Sequence, residues 1–570
     1  MKASLIAINS KYIHTGLGLR YVGEYARQQG HEINLIEETI NTPILTVLER
    51  IMEEQAEVFA FSVHIWSKLF VFRLIDMLKT LRPETKIVVG GPEVAFDAER
   101  IFKEQPAIDY IVQGEGELCF TELLKRMEQG DFEIPRHIAY VKNGAVELNG
   151  GTTVINDMSI LPFPYPDLEQ VLAEHKIVYY ECTRGCPFNC SYCLSGISRS
   201  VRKRPLELVL ADLDRFVSAG AKLVKFVDRT YNLDEKYFLP IMEYLAKLDT
   251  EATFHFEIKA DMLSEKVLNF LENVPKGRFQ MEIGIQSTHQ PTLKAINRQD
   301  NWERLASNVK RLLSFKNMHI HVDLIAGLPY EGLKEFAKSF NDVYGLDADM
   351  LQLGFLKVLP GTQMNKEQME HDLRYMSEPP YEILATKYMP YKDMQLLKRL
   401  ENVFDQTGNT DYFAYTLRCL LRESGADAFS FYVGLTEWWV RNGHYPQGHN
   451  AKGTAKLLYD YINETFVDEA KDKLLEALRY DVFTKINGWQ PTWLKWQNEE
   501  IFDITSAFWR DEDRVRQILP TYKFASWRAI HKNYPIERFT RHWETGEKGV
   551  YYIMVDWSTP EGNVILLNLK

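Results

Sequence analysis

From residue 1 to about 130, short apolar runs alternate five times with stretches of helical periodicity. The runs are Ser4 to Asn9, Glu32 to Glu37, Val58 to Val63, Lys86 to Val89 and Asp109 to Val112; between them, Ile44, Leu45, Leu48, Ile51 and Met52 illustrate the helical spacing. Such alternation predicts a parallel, doubly wound sheet covered on both faces. Five units predict the flavodoxin-like order, whose ligand crevice opens at the carboxyl ends of the strands, between the first and third.

A second alternating segment runs from about 176 to 362. Its expected strands are Ile177 to Cys182, Leu223 to Asp228, Thr253 to Lys259, Phe279 to Gln286, His319 to Ile325 and Leu351 to Val358. Six strand-helix units predict a partial (β/α)6 barrel of the TIM type, with its chemistry at the strands' carboxyl ends. Between the two segments, residues 131–175 hold a candidate hairpin from Ile138 to Leu148, turning at Asn143-Gly144, and then the run Leu161 to Leu168. The three prolines of that run, Pro162, Pro164 and Pro166, cannot continue a helix or a central strand, so this region is expected to be a linker. Residues 363–570 are expected to form a mostly helical domain, with helices such as Tyr412 to Arg422 and Ala451 to Tyr480. A terminal hairpin, Gly549 to Trp557 and Gly562 to Leu569, closes the chain. The class is therefore α/β with an added helical domain.

At 570 residues, with 45% hydrophobic and 26% charged residues, the composition is that of an ordinary globular protein. The formal net charge of -12 argues against a broad polyanion-binding surface. One stretch, Thr521 to Trp543, interleaves Lys523, Arg528, Lys532, Arg538 and Arg541 with aromatics, the composition of a single-strand stacking groove. Against the acidic total, a domain core with a basic rim is the better reading, so nucleic acid is not an expected partner. No apolar run approaches the roughly 18 residues that span a bilayer, and the apolar start is too short for a signal-peptide core, so a cytoplasmic protein without membrane association is expected. Six cysteines, three of them clustered, fit a reducing compartment and a metal site better than a disulfide framework.

The clustered cysteines are Cys186, Cys190 and Cys193, a C-x3-C-x2-C loop with no fourth partner close downstream. Four thiolates hold an electron-carrying iron-sulfur cluster, whereas three leave one iron open to another ligand. A zinc site would need a second cysteine pair, and Cys119, Cys182 and Cys419 supply none. Cys182 is expected to be a packed thiol, the usual fate of an isolated cysteine. The loop resembles that of the radical S-adenosylmethionine (radical SAM) superfamily. The resemblance implies a 4Fe-4S cluster on these three cysteines, with SAM on the open iron and Tyr192 against adenine.

The resemblance extends along the barrel strand ends. It implies that Asp228, in Asp228-Arg229-Thr230 where a glycine-rich form is usual, meets the methionyl amino group, with Glu257 on the next strand. Gln286, Ser287 and Asp323 are implied ribose contacts, Arg298 the partner of the methionyl carboxylate, and Pro360-Gly361-Thr362 a turn beside adenine. Upstream, Gly90-Gly91-Pro92 and Gly114-Glu115-Gly116-Glu117 resemble, in their order, the cobalamin domain of cobalamin-dependent radical SAM enzymes. Ser62, His64, Gly90, Gly91, Gly114 and Glu115 are thus implied cobalamin contacts. His14 lies in the first loop, but the histidine-ligand signature D-x-H-x-x-G fails at Tyr12 and Leu17, and an unligated lower cobalt face is the default.

Taken together, the resemblance implies an enzyme that cleaves SAM to a 5'-deoxyadenosyl radical and transfers a methyl group from methylcobalamin to an unactivated carbon of a small molecule or peptide. A reductase such as flavodoxin or ferredoxin would supply electrons. The alternatives are a cobalamin-assisted rearrangement or cyclisation without methyl transfer, and an RNA-modifying radical SAM enzyme. The last would need more cysteines than Cys119 in the amino-terminal domain.

Overall fold

The computed structural model describes residues 1–569 except 132, 198, 497–500, 521, 523, 525, 560 and 561. Thr521 and Lys523 of the basic-aromatic stretch thus lie outside the described residues. The chain divides into two compact units, Met1–Ser339 with Gly345–Met394, and Phe340–Tyr344 with Gln395–Lys570.

The first unit begins with a sheet of β1 (Lys2–Asn9), β2 (Glu32–Thr39), β3 (Val58–Ser62), β4 (Lys86–Gly90) and β5 (Tyr110–Val112), all parallel in the order β2-β1-β3-β4-β5. This is the flavodoxin-like order. Both faces of β1 are covered: Ile6 and Ile8 join a core with Phe59, Phe61 and Ile75, while Leu5 and Ala7 join another with Leu19, Val58 and Leu123. Burial on both faces is why the strand reads as a continuous apolar run. The hairpin at Asn143-Gly144 forms, as β6 (Ile138–Lys142) and β7 (Ala145–Asn149), but it is no free linker: β6 pairs antiparallel with β5 and extends the sheet. It covers an edge that β5 would otherwise expose.

The barrel strands are β8 (Val178–Tyr180), β11 (Leu223–Phe226), β12 (Thr253–Ile258), β13 (Phe279–Gln286), β14 (His319–Ala326) and β15 (Met350–Phe355), parallel and in sequential order. Two-residue ribbons β9 (Thr183–Arg184) with β10 (Arg202–Lys203), and β16 (Arg374–Tyr375) with β17 (Ile383–Ala385), decorate them. Strands β8 and β11 stop short of the predicted Cys182 and Asp228 because the Cys182 amide donates to the Asp228 carboxylate at 3.2 Å instead of to a ladder carbonyl. The chain likewise leaves β15 before Val358, whose amide donates to the Tyr381 carbonyl at 3.0 Å.

In the second unit, helices Ala414–Ser424, Ala428–Arg441, Ala451–Thr465 and Asp468–Lys485 pack with a three-stranded antiparallel sheet, β18 (Ile536–Arg541), β19 (Lys548–Asp556) and β20 (Asn563–Leu567). The expected single helix from Ala451 to Tyr480 is two, broken at Phe466 and Val467, which are extended. The expected terminal hairpin gains β18 as a third strand. Part of the basic-aromatic stretch is spent in this core. Phe539 is fully buried, Trp543 stacks on Tyr480 with ring centroids 4.1 Å apart, and Arg541 pairs with Glu469 at 3.2 Å.

Candidate cofactor sites

The cysteine loop leaves β9 and is pinned from both sides: the Ser191 amide donates to the Ile296 carbonyl at 3.0 Å, and the Met364 amide to the Ser191 carbonyl at 2.7 Å. Cys186, Cys190 and Cys193 line one cavity of about 210 Å³ with Phe188, Tyr192 and the ends of β12, β13 and β14. The donor set of three free thiols on one cavity wall fits an iron-sulfur cluster. Cys182 is not in this wall. Its thiol donates to Asp228 at 3.0 Å, and burial pushes it well above the usual thiol range.

The implied SAM residues divide. Glu257, Gln286, Arg298 and Asp323 line the cavity beside Tyr192. Gln286 sits at a register shift in β13 with φ of 71°, and its buried Oε1 has no protein partner. A non-glycine residue held there costs roughly 1–3 kcal/mol, and such strain concentrates at functional sites. Gly284 makes the arrangement possible, since a Cβ there would collide with the Gln286 side-chain amide. A buried acceptor aimed at a cavity fits a diol donor such as ribose. Burial pushes the Glu257 carboxyl up to about 7. Arg298 is held by Asp300 and the Gly284 carbonyl and lies 3.5 Å from the Tyr192 hydroxyl.

Asp228 and Ser287, by contrast, do not line the cavity. The Asp228 carboxylate accepts from the Cys182 amide, the Cys182 thiol and the Thr183 hydroxyl, so it braces the start of the cysteine loop. The Ser287 hydroxyl donates to Glu331 at 2.6 Å beneath the surface.

The second site is a cleft of about 640 Å³ at the carboxyl ends of β1, β3, β4 and β5. Every expected residue lines it: His14, Ser62, His64, Gly90, Gly91, Gly114 and Glu115. The helices Leu17–Gln28 and Gly116–Glu128 begin here and point their positive ends at it, which suits an anionic tail. At Gly18, which lines the cleft, the space a Cβ would take is open. This cradle fits a bulky, phosphate-bearing ligand such as cobalamin. Gly91 and Gly114 are required for a different reason from the one their sequence suggests. Both have φ above 100°, and a Cβ would meet the Val63 carbonyl at 2.7 Å or the Thr153 carbonyl at 2.6 Å, so protein backbone demands them.

Two imidazoles face the cleft. His14 shares its Nδ1 with the Tyr179 hydroxyl at 2.6 Å, and burial holds its pKa down. The His64 ring stacks on Trp66 with centroids 4.5 Å apart, its Nε2 lies 3.0 Å from the Ser62 hydroxyl, and burial, with Arg229 adding, lowers its pKa to about 4. Both are neutral at physiological pH.

Glu115 lines the cleft but is also a clasp: it pairs with Arg202 at 2.7 Å. Arg184, two residues before Cys186, pairs with Glu117 at 2.7 Å and Glu181 at 2.6 Å. The acidic residues of the second glycine motif thus tie the cleft to the cysteine loop. Arg184, Arg229, Tyr179 and Trp66 escape sequence reasoning. Two carried a signal: Arg184 as a lone cation between Cys182 and Cys186, and Arg229 as a departure from the usual glycine-rich form.

Comparison with known proteins bears on both sites. The chain matches the family described as B12 binding domain over residues 3–124, the Radical SAM superfamily over 180–343, and a family of unknown function, DUF4080, over 369–554. It is 25% identical over 357 residues to an uncharacterized methyltransferase of Pyrococcus horikoshii, covering 61% of this chain and 77% of the relative. It is 23% identical over 470 residues to the cobalamin-dependent radical SAM methyltransferase TokK of Streptomyces tokunonensis, covering 74% and 66%. Among solved structures, the cobalamin-dependent radical enzyme OxsB, with aqua-cobalamin and SAM bound, superposes with a TM-score of 0.61 at 16% identity over 93% of this chain and 82% of that one. The methyltransferase TsrM of Kitasatospora setae, with cobalamin and a [4Fe-4S] cluster bound, gives 0.55 at 14% identity over 65% and 74%. These superpositions show the fold.

Proposed function

We infer that this chain, a cobalamin-dependent radical SAM enzyme by its B12-binding and radical SAM domains, is a methyltransferase acting on an unactivated carbon of a small molecule or peptide. When bound, the cluster and SAM supply a 5'-deoxyadenosyl radical and cobalamin supplies the methyl group; the protein's part is orientation and shielding. Cys186, Cys190 and Cys193 hold the cluster. Gln286, Glu257 and Asp323 orient the nucleoside with Tyr192 against adenine, and Arg298 meets the methionyl carboxylate. The cleft loops at Gly18, Ser62, His64 and Gly90 seat the corrin.

The observation that carries this reading is adjacency. Val227 lines the cleft, Thr230 lines the cysteine-walled cavity, and Arg229 between them lines both, so one side chain borders the two sites. A carbon placed beside it faces both sources. Electron supply by flavodoxin or ferredoxin belongs to the same proposal. Protein reconstituted anaerobically with iron, sulfide and hydroxocobalamin should hold one 4Fe-4S cluster and one corrin per chain. After reduction with SAM it should form S-adenosylhomocysteine as well as 5'-deoxyadenosine. A product unchanged in mass, with no S-adenosylhomocysteine, would favour rearrangement instead.

A further inference from the structure

Among the described residues, Arg229 alone is common to the linings of the cobalamin cleft and the cysteine-walled cavity. It is exposed at the end of β11, next to buried Asp228. Four arginines of the surrounding segments are committed: Arg184 to Glu117 and Glu181, Arg202 to Glu115, Arg204 to Asp212, and Arg298 to Asp300. Arg229 differs. Among the described residues no carboxylate lies within ion-pair distance of its guanidinium and no acceptor takes a hydrogen bond from it. The charge facing it from β12 is Glu257, beyond that distance, and His64, facing it from the loop after β3, is neutral.

A guanidinium is a fixed fork of donors that never deprotonates, shaped for two oxygens of a carboxylate or phosphate. Where it faces a cavity without a protein acceptor, the complementary anion comes from what enters the cavity. SAM also has one carboxylate, which the family resemblance assigns to Arg298, so SAM affinity is read beside the probes in the test below. We propose that Arg229 anchors an anionic group, a carboxylate or a phosphate, on the substrate, and that this anchor fixes the acceptor carbon between the two cofactor sites. The inference rests on the functional reading above, because it takes the space beside Arg229 to be the substrate's.

The test uses SAM-loaded holoenzyme and three small probes that carry a methyl group: acetate, methylphosphonate and acetamide. Binding is read by saturation-transfer NMR, which needs no turnover. Wild type should transfer saturation to acetate or to methylphosphonate, the stronger of the two naming the anion, and not to acetamide. Arg229→Gln should lose that signal by about fivefold or more while Arg229→Lys keeps part of it, since lysine retains the charge but not the fork. SAM affinity should stay within about twofold in both variants, being set by other residues. Equal transfer to acetate and acetamide, an anion signal unchanged in Arg229→Gln, or a SAM affinity reduced about tenfold in that variant would each overturn the proposal. S-adenosylhomocysteine formation, measured on the same wild-type preparation, tests the methyltransferase reading separately: its absence would count against that reading while the probe signals still decide the anchor.

Discussion

The thiol of Cys182 donates to the carboxylate of Asp228 at 3.0 Å. One contact thereby bears on two residues at the cysteine loop. Cys182 is kept out of the cavity wall lined by Cys186, Cys190 and Cys193, and Asp228 braces the loop's first residues instead of lining that cavity.

Replacing Cys182 with alanine should therefore leave iron and sulfide content unchanged, because Asp228 keeps the Cys182 amide and the Thr183 hydroxyl as donors. Asp228→Ala strands those buried donors. It should cost about 1–3 kcal/mol and lower cluster occupancy, read by thermal unfolding and iron analysis. A Cys182→Ala protein that loses iron would make Cys182 a ligand.

Gln286 and Ser287 are neighbours with different duties. Gln286→Leu removes the orphan acceptor and should weaken SAM binding about 5- to 10-fold, the equivalent of one net hydrogen bond or slightly more. Gly284→Ala should do the same by displacing the Gln286 side chain. Ser287→Ala should leave SAM affinity within about twofold while lowering stability by about 1 kcal/mol through the lost bond to Glu331. Equilibrium binding of SAM to the reconstituted proteins separates the three.

Arg184→Met should destabilise the first unit by about 3–5 kcal/mol, since it leaves the carboxylates of buried Glu117 and half-buried Glu181 unpaired. Glu117→Gln should cost less, because Arg184 keeps Glu181. Calorimetry of the two variants checks the order, and corrin retention should fall with Arg184→Met if the clasp holds the cleft in shape.

Asp481 gives a pH signature in the second unit. It is fully buried, accepts from the amide and hydroxyl of Thr416, both at 2.7 Å, and burial pushes its carboxyl up to about 7. The folded state thus binds this proton more tightly than the unfolded state does. Its contribution is fully present below about pH 4 and is lost as pH rises through 7, on the order of a few kcal/mol. Asp481→Asn cannot titrate, so the difference in unfolding midpoint between variant and wild type should move in the variant's favour from pH 5 to pH 8. A difference that does not change with pH would contradict the assignment.

Sequence and structure agree where a signal is local or periodic. β1, β3, β4 and β5 were legible because each is apolar on both faces, and the cluster loop because three cysteines at fixed spacing need no tertiary context. Disagreement arises where a polar residue chooses between partners distant in sequence. Asp228, Ser287 and Glu115 occupy positions the family resemblance assigns to cofactors, yet Cys182, Glu331 and Arg202 claim them to different degrees. Glu115 still faces the cleft, whereas Asp228 and Ser287 do not face the cavity. The β6-β7 hairpin was legible as a turn, but its attachment to β5 depended on an open sheet edge that only the assembled sheet reveals.

The most direct test of the central claim follows the methyl group. Reduced holoenzyme is supplied with SAM carrying a trideuterated methyl group and with a small-molecule extract of the source cell, and the products are read by mass spectrometry. The account predicts S-adenosylhomocysteine and 5'-deoxyadenosine together, and a product in which one hydrogen of the precursor is replaced by the trideuterated methyl group. Release of 5'-deoxyadenosine alone, with the label found only in methionine, would contradict it.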